Sequence, residues 1–372
     1  MSIDHHGPGA VGDHAHAALS HLQADFPGFR IWEEAIAGRT RYVAVRRSLS
    51  AGLHTLVTAD PGELRAELDL SEQPPAVMAA LDRAADPGGQ AGGGPSPGER
   101  RMTAVAPVAG VVPPGIDVRV PSPARMYDFY LGGKDNFPAD REAARKALSV
   151  VPQGRAVAWA NRRFMVRAVK YLARHGVRQF IDLGTGIPTS PNVHEAARAI
   201  VPGAAVVYVD HDPIVTVHSR ALLATQAGIA AIGGDIRDPH GILANDELRE
   251  VIDFSQPVGL LFVAVLHFIS GEENPAAIVA AFADAVPAGS HLVISHITSD
   301  GTGPHVVATI EEAYRNASAA AVFRTRDQIA DLFSGFDLVP PGLTEVSEWR
   351  RSGRPAASPP ALRFLGGAGV KR

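Results

Sequence analysis

The chain has 372 residues, 46% of them hydrophobic and 20% charged, which is enough apolar material for a sizeable core and excludes a wholly disordered polypeptide. It contains no Cys, so disulfides, thiolate metal sites and a cysteine nucleophile are excluded. The net charge of −4, from 35 basic and 39 acidic residues, lacks the positive excess of an electrostatic nucleic-acid binder.

Residues 1–16 are small and polar, with His5, His6, His14 and His16 but nothing that fixes a metal geometry. They read as a flexible tail. The segment has neither a basic stretch nor a long apolar one, so it is not expected to be a signal peptide, and the expected location is the cytoplasm. Residues 17–72 read as a small α+β accessory module. A short helix over Ala17–Ala24 precedes alternating strands at Arg30–Ala37, Arg41–Arg47 and Leu53–Thr58. Asp60-Pro61 then opens a helix, as N-cap and first helical residue. Arg39, Arg41, Arg46 and Arg47 cluster near the hairpin, as a ligand patch or as a solvated strand face. Residues 84–116 are rich in Gly, Pro and Ala without periodicity and are expected to be a linker. Met102 falls inside it and is a candidate alternative start.

From residue 117 the pattern changes. Apolar strands are expected at Phe180–Leu183, Ala205–Asp210, Ile229–Gly233, Val258–Phe268 and His291–Ile297. Helices are expected between them at Asn192–Val201, Pro213–Gln226, Gly241–Ile252 and Pro275–Val286. Apolar strands alternating with helices imply a parallel sheet covered on both faces. The longest unbroken apolar run, Val258–Leu266, has nine residues against the roughly 20 a membrane helix needs. Thr325-Arg-Asp-Gln328 forms a capping box for a helix through Phe333. Strands at Phe336–Val339, Glu345–Trp349 and Ala361–Leu365 then give the sheet an antiparallel finish.

The chemistry-bearing residues collect where these strands end. Gly184 and Gly186 in Asp182-Leu-Gly-Thr-Gly-Ile-Pro-Thr189 permit a sharp turn and close approach to a ligand. Asp210, ending the second strand, can accept hydrogen bonds from both hydroxyls of a ribose. Asp235, just past the third, can accept from an adenine amine. Three acids at the ends of successive strands indicate a nucleoside site, belonging to NAD or to S-adenosylmethionine. The absence of a third Gly at Thr189, and the second acid at Asp235, both argue against NAD.

Several long motifs make the resemblance specific. They are SPARMYDFYLGGKDNFPADREAA (122–144), NRRFMVRAVKYLA (161–173), QFIDLGTGIPT (179–189), VVYVDHDPIV (206–215), GDIRDP (234–239) and LLFVAVLHFI (260–269). With them, residues 120–372 resemble the actinobacterial S-adenosyl methyltransferase family, once filed as a domain of unknown function. The resemblance implies an α/β, Rossmann-like class I methyltransferase domain over 117–372. Its sheet is expected to be mostly parallel and seven-stranded with an antiparallel last strand, and its cofactor S-adenosyl-L-methionine. It implies no particular methyl acceptor, which is a small molecule or a protein. A non-catalytic S-adenosylmethionine-binding regulator and an NAD-dependent oxidoreductase are the alternatives. The chain departs from the family at Tyr127-Asp-Phe-Tyr-Leu-Gly-Gly133, at His211-Asp212 and at Trp349-Arg350-Arg351, where the family has Tyr-Asp-Tyr-Leu-Leu-Gly-Gly, Asn-Asp and Trp-Arg-Pro.

The expected cofactor-binding set is Gly184, Thr185, Gly186, Asp210, His211, Asp235, Ile236, Ala264, Asn161 and Tyr127, with no metal. Asn161 lies on the buried stripe of Met165, Ala168, Val169 and Leu172. It needs a partner there, either a neighbouring loop or the cofactor's amino-acid end. His267 and His296, ending the fourth and fifth strands, are candidate general bases or structural, hydrogen-bonded histidines. Ser122–Arg141, which packs aromatic and charged residues around Gly132-Gly133, is expected to close over the cofactor as a lid.

Overall fold

The apolar runs of the second half of the chain become strands whose residues are buried on both faces, which is why they read as continuous rather than alternating. In a computed structural model, residues 19–36, 39–46, 55–58, 65, 117–224, 226–351 and 360–372 are described. The chain divides into two compact units, Met1–Ile116 and Asp117–Arg372. The expected N-terminal tail, the Asp60-capped helix apart from helical Arg65, and the linker lie outside the described residues.

In the first unit, helical residues 19–25 pack on an antiparallel sheet of β1 (Phe29–Ile36), β2 (Arg39–Arg46) and β3 (Thr55–Thr58). Leu19, Leu22, Phe26, Phe29, Tyr42 and Ala44 form its core. Gln23 ties helix to strand, donating to the Phe29 carbonyl at 2.8 Å and accepting from the Ile31 amide at 2.9 Å.

The second unit opens with α1 (Pro123–Leu131), α2 (Pro138–Val150) and α3 (Gly154–Arg174). Its sheet is then built from β4 (Gln179–Leu183), β5 (Ala205–Asp210), β6 (Ile229–Gly233), β7 (Val258–Val263) and β8 (His291–Thr298), all parallel. The helices between them are α4 (Val193–Arg198), α5 (Pro213–Leu222), α6 (Pro239–Leu243), α7 (Asp246–Val251) and α8 (Pro275–Asp284). α9 (Pro304–Tyr314) and α10 (Arg326–Asp331) follow β8. The long C-terminal strand β11 (Arg363–Lys371) pairs antiparallel with β8. The strand order β10 (Thr344–Glu345)-β11-β8-β7-β4-β5-β6 makes β4 and β7 neighbours although the strands β5 and β6 lie between them in the chain. That reversal opens a crevice at the carboxyl ends of β4 and β7, the place where open α/β sheets take ligands.

The structure departs from expectation at three places. The mostly parallel sheet with its antiparallel finish is present, but with eight strands, because the outer edge position beside β11 is split. Short β9 (Phe336–Leu338) pairs with one end of β11 and two-residue β10 (Thr344–Glu345) with the other. Pro340-Pro341-Gly342 lies between them, where Pro cannot donate to a ladder, and the expected strand at Glu345–Trp349 therefore shrinks to its first residue. The expected helix Gly241–Ile252 is two helices, because Asn245 accepts from the Leu248 amide and caps a new start. The expected strand Val258–Phe268 stops at Val263. Ala264 turns into left-handed backbone at φ 59°, and a 3₁₀ turn, Leu266–Phe268, follows.

The helices α1 and α2 are fixed to the sheet by a buried ionic knot. Arg125 donates from Nε to Asp140 at 2.9 Å, from Nη1 to Asp212 at 3.3 Å and from Nη2 to the Val120 carbonyl at 2.7 Å. Ser122 donates its amide to Asp140 and its hydroxyl to Asp212, both at 2.8 Å. Asp140 also accepts from the Phe137 amide, and Asp212 from the Ile214 amide as the N-cap of α5. One guanidinium faces two carboxylates, neutral donors from Ser122, Phe137 and Ile214 complete their hydrogen bonding, and the side chains of Ser122, Arg125, Asp140 and Asp212 are all buried. Next to it, Asp128 accepts from the Asp135 amide and from Asn136 Nδ2 at 3.0 and 2.7 Å. A Cβ on Gly133 would stand 1.8 Å from the Asp128 carboxylate, so the loop closes only with glycine there.

Arg125→Ala leaves Asp140 and Asp212 buried without their cation. It is expected to destabilise the protein by about 3–5 kcal/mol, read as a lowered urea midpoint at unchanged slope; a midpoint equal to wild type contradicts the role given to this residue.

Candidate active site

A large cavity opens at the β4/β7 crevice, and residues from α1, α2, α3, α9, β11 and the ends of the parallel strands line it. On one side stands the turn after β4. The amides of Gly184 and Thr185 donate to the Val209 carbonyl at 2.9 and 3.2 Å, and Thr185 Oγ1 donates to the Asp182 carbonyl at 3.0 Å. Gly184 has φ 76°, and a Cβ on it would lie 2.3 Å from Val265 Cγ2. The turn therefore packs directly on the loop after β7 and admits only glycine at this point.

Asp210 closes β5 against that turn. Its carboxylate accepts from the Gly186 amide and the Asp212 amide, both at 2.9 Å, with the His211 ring 3.6 Å away. Burial raises its pKa; the amides and His211 oppose the rise. Asp182 lines the same wall, and among the described residues no hydrogen bond reaches its carboxylate. Burial pushes its pKa up to about 7; the Arg162 guanidinium opposes the rise and the Asp210 carboxylate adds to it. Asp235 sits at the more exposed mouth, accepting from the Arg237 amide and guanidinium at 3.0 and 3.2 Å. Ile236 is buried beside it, and Ala264 flanks the cavity with its amide donated to Ser295.

Asn161 and Tyr127 meet across the cavity wall. Tyr127 donates its hydroxyl to the Ala158 carbonyl at 3.0 Å, which spends its only proton, so the contact with Asn161 at 3.0 Å must be a donation from Asn161 Nδ2. That assigns the amide orientation and leaves Asn161 Oδ1 as a buried acceptor with no partner. The nitrogen thus bonds a residue of a neighbouring helix where a loop was expected, and the oxygen has no partner among the described residues. Its chain neighbour Arg162, which the sequence reasoning passed over, also lines the cavity. Arg162 Nη2 reaches the carbonyls of Thr189 and Pro191 and Asn192 Oδ1, while its buried Nε has no partner.

The two histidines part company. His267, in the 3₁₀ turn, lines the cavity, and its buried Nδ1 has no partner. Burial, with the His296 ring and the Arg324 charge nearby, holds its pKa well below the usual histidine range, so the ring is neutral. His296 is not among the cavity residues. Its Nδ1 donates to the Ile297 carbonyl at 2.6 Å and its Nε2 accepts from Arg324 Nη1 at 2.8 Å. Arg324 in turn donates to the Leu266 and Ile269 carbonyls at 2.9 and 2.7 Å. The candidate base at His296 is therefore corrected to a support: it and Arg324 brace the turn that presents His267. The segment Ser122–Arg141 supplies a wall, with Ser122, Pro123, Ala124, Tyr127 and Tyr130 on the cavity, and it is held by the buried knot rather than standing free as a lid.

A family model described as S-adenosyl methyltransferase matches residues 110–372. Among solved structures, a candidate methyltransferase from Thermobifida fusca YX is similar at 39% identity over 70% of this chain and 98% of its own, with a TM-score of 0.66. A DUF574 family protein from Streptomyces avermitilis MA-4680 is similar at 37% identity over 69% of this chain and 99% of its own, also at 0.66. No curated protein matches the chain. Among the described residues no helix is long and apolar enough to cross a membrane, and no group of side chains could hold a metal ion. With the glycine turn, the acid ending β5 and the doubly wound sheet on which both stand, the chain belongs to the S-adenosyl methyltransferase family and is an S-adenosylmethionine-dependent methyltransferase.

Proposed function

We propose that the β4/β7 crevice binds S-adenosylmethionine through the residues just described. Asp210 takes the ribose hydroxyls, Asp235 and Ile236 the adenine, and the Gly184-Thr185-Gly186 turn, His211 and Ala264 line the path between. Asn161, with Tyr127 behind it, receives the amino-acid end. The observation that carries this reading is Asn161 Oδ1, a buried acceptor without a donor in a residue on the cavity wall. An unmatched buried acceptor costs about 1–3 kcal/mol, and a ligand ammonium removes that cost. Asp182, which lines the same cavity, adds a carboxylate whose ionised form a cation favours.

The cofactor supplies an activated methyl group on a sulfonium that leaves as a neutral thioether. The protein's part is to align the acceptor, exclude water and receive a proton. His267 fits the last task. Its neutral ring lines the cavity and its Nδ1 has no other partner. Its depressed pKa suits it to accept a hydroxyl proton as that proton leaves, not to ionise the acceptor beforehand. The acceptor is a small molecule or a protein, and we place the reaction in the cytoplasm of an actinobacterium. Residues 17–72 are an accessory module joined to this domain, 117–372, by the linker at 84–116.

S-adenosylmethionine at about 100 times its dissociation constant should stabilise the protein by about 2.7 kcal/mol in thermal unfolding, while NAD should not. Asp210→Ala should lose most of that gain, and an unchanged gain removes Asp210 from the site. Binding a cation beside Asp182 lowers its pKa from about 7, so protons are released on binding below that pH. Affinity should therefore rise with pH, by up to about tenfold per unit, and level off near pH 7; Asp182→Asn should flatten the profile in calorimetry. His267→Asn should cut methyl transfer to acceptors in a cell extract by about 10²–10⁴-fold while leaving cofactor stabilisation intact.

A further inference from the structure

Beyond the cofactor end, the cavity changes character. The charged side chains on its wall are Arg162, Asp182, Asp210, Asp235 and Arg237, together with the ring of His211, and all stand on α3 or on the ends of β4, β5 and β6. Among the described residues, the opposite wall carries no charge. It is built from α1, α2, α9, the 3₁₀ turn and β11, with Leu148, Ile310 and Phe364 representative of its aliphatic and aromatic lining.

Its few polar atoms are placed along one strip. The His267 and Phe268 rings lie 4.4 Å apart, and Phe268 lies 5.4 Å from Tyr314. The Tyr314 hydroxyl meets that of Tyr130 at 3.3 Å. A pair of hydroxyls has two protons, and their mutual contact uses one, so the other remains to be donated. Burial holds both tyrosines above their usual range, Tyr314 at about 12, so both stay neutral. The strip thus offers a neutral proton acceptor at His267 and a neutral donor at the tyrosine pair, separated by aromatic rings.

We propose that the methyl acceptor is an uncharged, ring-containing small molecule that presents a hydroxyl to His267 and lays its apolar body against Phe268, Tyr314 and Phe364. This rests on the reading of the crevice as the cofactor site. Burying an apolar body against this wall is favourable at about 25 cal/mol per Å². A carboxylate, phosphate or ammonium placed there would lose its hydration with no counter-charge to replace it. A lysine, glutamate or nucleic-acid acceptor is disfavoured on the same ground. In the transfer itself, the acceptor oxygen forms the new bond to the methyl carbon, the carbon–sulfur bond breaks with its electrons going to sulfur, and the hydroxyl proton passes to the neutral His267 imidazole.

The test is calorimetry on the full chain, first with S-adenosylmethionine, then on the protein saturated with S-adenosylhomocysteine, using 2-naphthol and 6-hydroxy-2-naphthoate as probes. The neutral naphthol should bind at least tenfold more tightly than the carboxylate. Ile310→Asp should weaken naphthol binding at least tenfold and leave S-adenosylmethionine affinity within twofold. Leu148→Asn, at a half-buried position, serves the same purpose if Ile310→Asp does not fold. Equal or tighter binding of the carboxylate, no naphthol binding to protein that binds S-adenosylmethionine, or naphthol binding indifferent to both substitutions overturns the proposal. Failure of wild type to bind S-adenosylmethionine overturns the cofactor reading instead.

Discussion

The Arg125 guanidinium, shared between Asp140 and Asp212, joins two parts of the chain far apart in sequence, with Ser122 bridging the same two carboxylates and His218 of α5 standing 3.5 Å from Asp135 beside it. Asp140 belongs to α2, and Asp212 caps α5 two residues beyond Asp210. The buried cation and these neighbouring contacts together hold the helical wall against the end of β5. The wall carries Tyr127 and Tyr130, and α3, which follows it, carries Asn161. Were the knot absent, the sheet could still form, since its ladders run between β4 and β8 independently. The crevice at its carboxyl edge would lose the anchor of the wall that α1 and α2 supply.

The site itself gathers carboxylates in a place that disfavours them. Asp182 and Asp210 are both buried, and burial raises both pKa values. Asp210 is compensated by two amides, while Asp182 has only the more distant charge of Arg162. Such uncompensated groups are expected at functional sites rather than in a core selected for stability alone. The same holds for the partnerless atoms of Asn161, Arg162 and His267, which cluster around one cavity while the rest of the sheet domain has its buried polar groups largely matched.

Much of the fold was legible because its strands are buried on both faces, so Phe180–Leu183, Ala205–Asp210 and Ile229–Gly233 announce themselves as apolar runs ending at the glycine turn and the acids. Legibility failed where a local interaction overrides the pattern. The apolar run from Val258 continues through Phe268, yet the chain leaves the sheet at Ala264, because the close packing of Val265 on Gly184 demands a turn that hydropathy does not encode. The split of β9 from β10 follows from Pro340-Pro341, whose effect depends on which neighbour they face. His267 and His296 look alike in sequence, each near the end of an apolar strand; Arg324, far along the chain, is what makes one a brace and leaves the other open. The apolar wall was illegible altogether, since Tyr130 and Tyr314 are brought together from positions 184 residues apart.

The contact between Gly184 and Val265 bears on how such a protein can diversify. A side chain at Gly184 is refused twice, once by its backbone conformation and once by the valine, so shrinking Val265 would not by itself make room for change. The donor-facing half of the crevice is thereby held by main-chain geometry that a single substitution cannot revise. The opposite half is held by side chains such as Leu148, Ile310 and Phe364, each replaceable without moving the backbone. Descendants of one ancestor could then exchange acceptors one residue at a time while inheriting an unaltered means of activating the methyl group.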